Sequence, residues 1–111
     1  MRKLIAPLVI AGLLGPAVAP AVAGAAIRVG DNYFVRPSGV PVVNVDKGAK
    51  VTWKFRGKSV HNVSVSKGPA TFRSPTKSSG SYTKKLTKKG TYTLICTVHG
   101  ARDQKMKLVV R

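Results

Sequence analysis

From about residue 26 onward, apolar and polar residues alternate along the chain with a period of two. This is the repeat of a half-buried β-strand, whereas a helix that packs on one face repeats about every 3.6 residues. The segment VTWKF at 51–55 shows the pattern most clearly, and it recurs at 61–65, 92–96 and 104–110. No segment carries a helical stripe, so the alternation predicts an all-β fold.

Turn-forming residues separate the alternating segments. They occur as RPSG at 36–39, DKG at 46–48, RGK at 56–58, KGP at 67–69 and KKG at 88–90. Glycine, proline and charged residues in such clusters interrupt regular strands. Several short strands at this spacing are typical of a β-sandwich or a β-barrel.

The first residues differ in character from the rest. Arg2 and Lys3 precede an apolar stretch at 4–22, and the small residues at 21–23 suit a signal peptidase. Three prolines interrupt the stretch and no basic stop-transfer segment follows, which argues against a membrane anchor. We therefore predict a signal peptide at 1–23 and one domain at 24–111. The mature chain would have no transmembrane segment and would be periplasmic, attached to the cell envelope or extracellular.

The chain is strongly basic. It has 20 Lys and Arg against 3 Asp, no Glu, and a formal charge of +17, which becomes +15 without Arg2 and Lys3. Such a charge attracts anionic partners, among them an anionic envelope surface. Nucleic acid is not expected, because the basic residues are scattered and export argues against it. With few carboxylates, paired acid–base catalysis has no candidates, and we predict that the protein is not an enzyme.

Cys96 is the only cysteine, so an exported chain carries one thiol that cannot form an internal disulfide. Such a thiol indicates intermolecular pairing, deep burial or a metal. His99 follows it by three positions and His61 precedes it by 35. Two imidazoles and one thiolate are the equatorial set of a blue copper site, whereas structural zinc uses four strong ligands.

The segments VTWKF and HNV (61–63), followed by GTYTLICTVHG (90–100), resemble cupredoxins of the plastocyanin, pseudoazurin and amicyanin type. The resemblance covers about residues 27–111. It implies a Greek-key β-sandwich of about seven or eight strands with one copper ion. The copper would be held by His61, Cys96 and His99.

The same resemblance implies a role for Asn62, which would hydrogen-bond near the cysteine and join the two ligand loops. Thr97 is its expected partner. Alignment of the last strand puts Gln104 where plastocyanin-like members have an axial methionine. Gln104 would then bind through its amide oxygen, as in stellacyanin-like proteins, with Met106 in the core. In the alternative, a register shift makes Met106 the axial ligand.

We therefore expect an exported, monomeric blue (type 1) copper protein that carries one electron between redox partners. His99 would be the exit edge for the electron, with Gly100, Ala101, Pro69 and Pro37 as an apolar docking patch. The first alternative is a copper store, chaperone or sensor without electron transfer. The second is a metal-free adhesive or anion-binding sandwich.

Overall fold

The computed structural model describes residues 22–111, so nearly all of the predicted signal peptide lies outside the described residues. Within them, seven strands and one short helix follow one another. They are β1 (Val22–Gly30), β2 (Tyr33–Phe34), β3 (Val42–Phe55), β4 (Ser64–Lys67), β5 (Ser81–Lys85), β6 (Gly90–Ile95), α1 (Gly100–Asp103) and β7 (Lys105–Val110). No helix in this part of the chain has the length and apolar character that crossing a membrane would require.

The strands pair in the order β2-β1-β3-β7-β6-β4, with β5 also paired to β3. The long strand β3 changes its partners midway. Residues 42–45 pair with β7, whereas residues 50–55 pair with β1, and residues 50–54 also with β5. The sheet thus forms two halves that share β3 and enclose the core, which confirms the predicted all-β Greek-key sandwich.

One predicted turn is wrong. The DKG segment at 46–48 does not end a strand, because β3 continues through it. Gly48 has a φ of +90°, which side chains disfavour and glycine accepts. The glycine therefore marks the place where β3 leaves one half of the sheet for the other.

The alternation identifies most of the core correctly. Val51, Trp53 and Phe55 are buried, as are the alternate residues of β7. The Trp53 ring packs against Phe72 and Tyr82, with ring centroids 5.9 and 6.0 Å apart. The buried cluster therefore joins β3 and β5 to the loop that precedes β5.

Two local predictions fail near the end of β6. The segment 61–65 does not alternate, since residues 61–64 are all buried and β4 begins only at Ser64. His61 instead exchanges two backbone hydrogen bonds with Lys77, of 3.0 and 2.9 Å. The second difference is α1, a single helical turn that a periodic pattern cannot reveal because it is too short. Both features lie at the end of the sandwich that carries Cys96.

Candidate metal centre

Three potential metal-binding side chains meet at one end of the sandwich. Cys96 follows β6 directly, His99 lies in the turn before α1, and His61 lies in the loop between β3 and β4. Their donor atoms all lie within 4.8 Å of one another. Cys96 Sγ is 3.4 Å from His99 Nδ1 and 4.0 Å from His61 Nδ1, and the two imidazole centroids are 4.7 Å apart. The sequence-predicted trio is thus brought together from two distant segments.

Backbone hydrogen bonds fix the loop that carries two of these residues. The Gly100 N–H donates to Cys96 O at 2.7 Å, and the Gln104 N–H donates to Gly100 O at 3.1 Å. The Cys96 N–H donates to Gln104 O at 3.3 Å and closes the loop at its base. Gly100 has a φ of +84°, a conformation that glycine adopts without strain. This tight loop holds His99 beside Cys96.

Gln104 completes the cluster, and its amide has only one chemically sensible orientation. Its Nε2 donates to the carbonyl oxygens of Gly30 and Tyr33, at 3.0 and 2.8 Å. Because both partners are acceptors, the NH2 group must face them. Oε1 then points at His61 Nδ1, 3.0 Å away. An amide oxygen is therefore held beside the His61 nitrogen that belongs to the donor cluster.

Met106 occupies a different position. It pairs with Leu94 in the β6–β7 ladder, is fully buried and belongs to the hydrophobic core. Gln104, and not Met106, has a described contact with His61. This geometry is consistent with a glutamine in the axial position.

Asn62 and Thr97 join the two loops that carry the donors. Asn62 Nδ2 donates to Thr97 Oγ1 at 2.7 Å, and the Thr97 N–H donates to Asn62 Oδ1 at 2.8 Å. Asn62 is buried, which explains why the alternation fails at this residue. The pair holds the residue after His61 against the residue after Cys96.

Asp31 is a residue of this centre that sequence reasoning missed. It lies in the two-residue turn between β1 and β2, and its Oδ1 is 2.8 Å from His61 Nε2. It also accepts hydrogen bonds from the N–H groups of Lys58 and Ser59 and from the Ser59 hydroxyl. A carboxylate on the far nitrogen of a metal-binding histidine orients the ring and raises its basicity. The only sequence signal is the turn-forming pair Asp31-Asn32 between alternating segments.

These contacts set the charge state of Asp31. The Lys58 N–H, the His61 ring and Ser59 hold the pKa of the Asp31 carboxyl well below its usual range. The carboxylate is therefore charged near neutral pH. Gly57 leaves room for it, because a β-carbon at that position would overlap Asp31 Oδ1 and lie 2.7 Å from His61 Nε2.

The donor set fits copper. Two imidazole nitrogens, one thiolate sulfur and a weaker oxygen donor are the ligands of blue copper centres. Structural zinc would need a fourth strong ligand, and the described cluster contains only His61, Cys96 and His99 as strong donors. Cys96 is also buried, so its thiol is shielded from disulfide exchange with other molecules, which agrees with a role in metal binding.

The predicted docking patch needs one correction. Pro37 and Ala101 line one groove, with Val40 and the basic residues Arg36 and Arg102. Pro69 does not lie at the end of the sandwich that carries Cys96. It packs against Gly90 at the start of β6, whereas Cys96 follows the end of that strand. The proline lies at the opposite end since β4 and β6 run antiparallel.

Comparisons with known proteins agree with this geometry. The model of the copper-binding plastocyanin/azurin family matches residues 39–111. A methionine-to-glutamine variant of amicyanin in the Cu(I) form is 27% identical, with a TM-score of 0.62 over 80% of this chain and 83% of that chain. An oxidized proline-to-glycine variant of amicyanin is 28% identical, with a TM-score of 0.60 over 84% of each chain.

A dithionite-reduced auracyanin from Roseiflexus castenholzii shares the fold, with a TM-score of 0.63 at 16% identity over 83% of this chain and 99% of that chain. The search of curated proteins found no match. The family model covers well over half of the sequence, and the donor cluster lies within the matched residues. The chain therefore belongs to the plastocyanin/azurin family of copper-binding proteins, and its cofactor is copper.

Proposed function

We propose that the protein is an exported electron carrier with a single blue copper site. His61, Cys96 and His99 would hold the copper ion as its strong ligands, and Gln104 Oε1 would be the weaker, axial donor. The observation that carries the proposal is the convergence of the three strong donors within 4.8 Å of one another. The Gln104 oxygen, 3.0 Å from His61 Nδ1, supports the axial assignment.

When bound, copper supplies a couple between Cu(II) and Cu(I) that accepts and releases one electron. The chain's own residues keep the donors in one arrangement. Asn62 and Thr97 join the two ligand loops, and Asp31 fixes the His61 ring from its far side. Gly30 and Tyr33 hold the Gln104 amide. A site held this rigidly loses little energy to rearrangement when the charge of the metal changes.

Burial favours a carrier over a store, chaperone or sensor. His61 and Cys96 are completely buried and Gln104 is 1% exposed, so a copper acceptor could not reach most of the ligands. His99 is partly exposed and is the natural edge for electron exit. Metal transfer needs open, exchangeable ligands, whereas electron transfer needs only a close approach to one of them.

The surface beside His99 suits a docking partner. Val98 is 48% exposed, Ala101 is exposed, and Arg102 follows them. An apolar contact with basic residues beside it fits an acidic redox protein, which the net charge would steer towards the monomeric carrier.

Export is part of the proposal. Cleavage after Ala23 would leave the regular pairing of 24–29 with 50–55 intact, since the register shift in the β1–β3 ladder lies between Val22 and Gly24. Mass spectrometry of the protein recovered from the cell envelope or the medium would then give Gly24 as the first residue. Recovery of the chain with Met1 from the cytoplasm would contradict export.

Copper loading tests the site. We expect one copper per chain, intense visible absorption from thiolate-to-copper charge transfer, and loss of that band in Cys96→Ser. The loaded protein should exchange electrons reversibly with an acidic redox protein faster than it gives Cu(I) to a chelator. A colourless copper complex would overturn the blue copper assignment, and rapid metal transfer without electron exchange would favour the chaperone.

A further inference from the structure

A basic surface covers the outward side of the ladder formed by β1, β3 and β5. We define this cationic face by four exposed basic side chains and the two threonines between them: Arg28, Lys50, Lys54, Lys85, Thr52 and Thr83. Along β3 the buried core residues alternate with the residues of the face. The strand geometry therefore directs the core residues to one side of the sheet and the face residues to the other. None of the face residues belongs to the donor cluster.

Like charges lie directly opposite one another on this face. Arg28 is the register partner of Lys54, and Lys50 is the register partner of Lys85. Opposed like charges on neighbouring strands destabilise a sheet. Between the two charged rows, the hydroxyls of Thr52 and Thr83 are hydrogen-bonded at 2.8 Å. The face is therefore an ordered array of cations that acts against the stability of its own ladder.

The rest of the described chain does not neutralise this charge. Among residues 22–111, the one carboxylate within 4.0 Å of a basic side chain is Asp31, which contacts His61, and no Lys or Arg lies within 4.0 Å of a carboxylate oxygen. The repulsion on the face is thus not offset by the protein itself. An anion from outside the chain would relieve it.

Protection of a sheet edge does not explain the arrangement. Lysines commonly block edge strands from pairing with other chains, and Lys85 lies on β5, which pairs only with β3 among the described strands. Lys50 and Lys54 lie on β3, which has neighbours on both sides at these residues. Their charge therefore has no role in protecting an edge.

We propose that the cationic face binds the anionic lipid headgroups of a bilayer surface. The face presents its four cations on one side of the ladder, where a single bilayer surface contacts them together, and clusters of about four or more Lys and Arg are attracted to anionic lipid. The face carries no large apolar side chain, so binding is peripheral, electrostatic and reversed by salt. The loop with His99 contributes nothing to the face and stays available to a redox partner.

Sedimentation of the copper-loaded protein with vesicles of equal parts phosphatidylglycerol and phosphatidylcholine tests the proposal. We expect binding at low salt, none to pure phosphatidylcholine, and release as salt rises. Combined replacement of Arg28, Lys50, Lys54 and Lys85 by Thr should weaken binding more than about ten-fold, given a few-fold per cation near the bilayer. The same variant should unfold at a temperature no lower than wild type at low salt.

A control variant replaces Lys67, Lys88, Lys89 and Lys107, all exposed and outside the face, by Thr. The control variant has the same net charge as the variant with four replacements on the face, and we expect it to retain most of the binding to anionic vesicles. Equal loss in both variants would overturn the proposal, because net charge alone would then explain binding. If the protein binds polyglutamate through the cationic face but does not bind vesicles, the lipid proposal is wrong and the ligand of the face is an acidic polypeptide. Cys96→Ser should bind vesicles like wild type, which separates this inference from the copper proposal.

Discussion

Asp31 and His61 are 30 residues apart in sequence, yet the Asp31 carboxylate accepts from His61 Nε2 at 2.8 Å. On the other side of the same ring, Nδ1 lies 3.0 Å from Gln104 Oε1. One imidazole is therefore held between a negative charge and a neutral amide oxygen. The charged partner sets the orientation and basicity of the ring, and the amide oxygen faces the nitrogen that belongs to the donor cluster.

Replacement of Asp31 by Asn should test this relationship. The substitution removes the negative charge beside His61 and keeps a side chain of the same shape. We expect copper(II) affinity to fall about 10- to 100-fold, as for other partners of metal-binding histidines. The reduction potential should rise, because the lost charge stabilises Cu(II) more than Cu(I). Competition with a chelator and cyclic voltammetry measure the two effects.

The matched control for that experiment is Asp103→Asn, which removes the same charge from α1. Its carboxylate has no described contact with the donors, so affinity and potential should change little. An equal change in both variants would show that overall charge, and not the contact with His61, is responsible.

The two residues at the start of β7 can be separated by substitution. Gln104→Met replaces an amide oxygen by a thioether, a weaker donor to Cu(II), so the reduction potential should rise and the EPR signal should change. In the metal-free protein, the carbonyls of Gly30 and Tyr33 lose their donor, which should lower the free energy of unfolding by about 2 kcal/mol. Denaturant titration measures this loss.

Met106→Leu is the companion variant. It conserves volume in the core, so the expected cost is below about 1.5 kcal/mol, and the copper spectra should not change. A changed copper signal in Met106→Leu, together with an unchanged one in Gln104→Met, would make Met106 the axial ligand.

Asn62→Ala should weaken the connection between the ligand loops. The two hydrogen bonds to Thr97 are lost, and the free energy of unfolding of the metal-free protein should fall by about 2 kcal/mol. Copper should still bind, with a broadened charge-transfer band, because the donors remain but are less well held. Thr97→Ser, which keeps the hydroxyl and the backbone N–H, is the control and should resemble wild type in both measurements.

Ionisation of Tyr92 should lower the free energy of unfolding at alkaline pH. Burial raises the pKa of its phenol above the usual value near 10, and the neutral hydroxyl donates to Lys88 O at 2.8 Å. Because the pKa is raised in the folded protein, the neutral Tyr92 phenol contributes fully to the free energy of unfolding below about pH 10. This contribution is lost as the pH rises through the pKa of the folded protein. Tyr92→Phe should be about 1 kcal/mol less stable at pH 7, and this gap should narrow above about pH 10. Denaturant titration across that range would contradict the assignment if the gap stays constant or widens.

The sequence predicted the part of this molecule that depends on alternation and on a few rare residues. The buried face of β7 follows from its period of two, and the single cysteine with two histidines points to one metal centre. The hydrogen-bonded pair Asn62 and Thr97 was expected only through the family resemblance. These features depend on residues that are close together in the sequence, or on residue types, such as cysteine and histidine, that have few chemical roles.

What the sequence could not predict depends on three-dimensional neighbours. Asp31 looks like any polar turn residue until the hairpin of β1 and β2 brings it to His61. The acceptors that orient Gln104 are backbone carbonyls, which every residue possesses. Gly48 resembles a turn signal, although it lies within a strand that changes partners. Long-range pairing, and not residue type, decides each of these cases.

The position of β7 has a consequence for how the molecule is made. This strand lies between β3 and β6, so those two strands have no direct ladder with each other and are joined only after β7 has been synthesised. Its pairing with β3 is also parallel and distant in sequence, which slows folding. The half of the sheet that contains β4 and β6 therefore cannot join the half that contains β1 and β5 until β7 has left the ribosome.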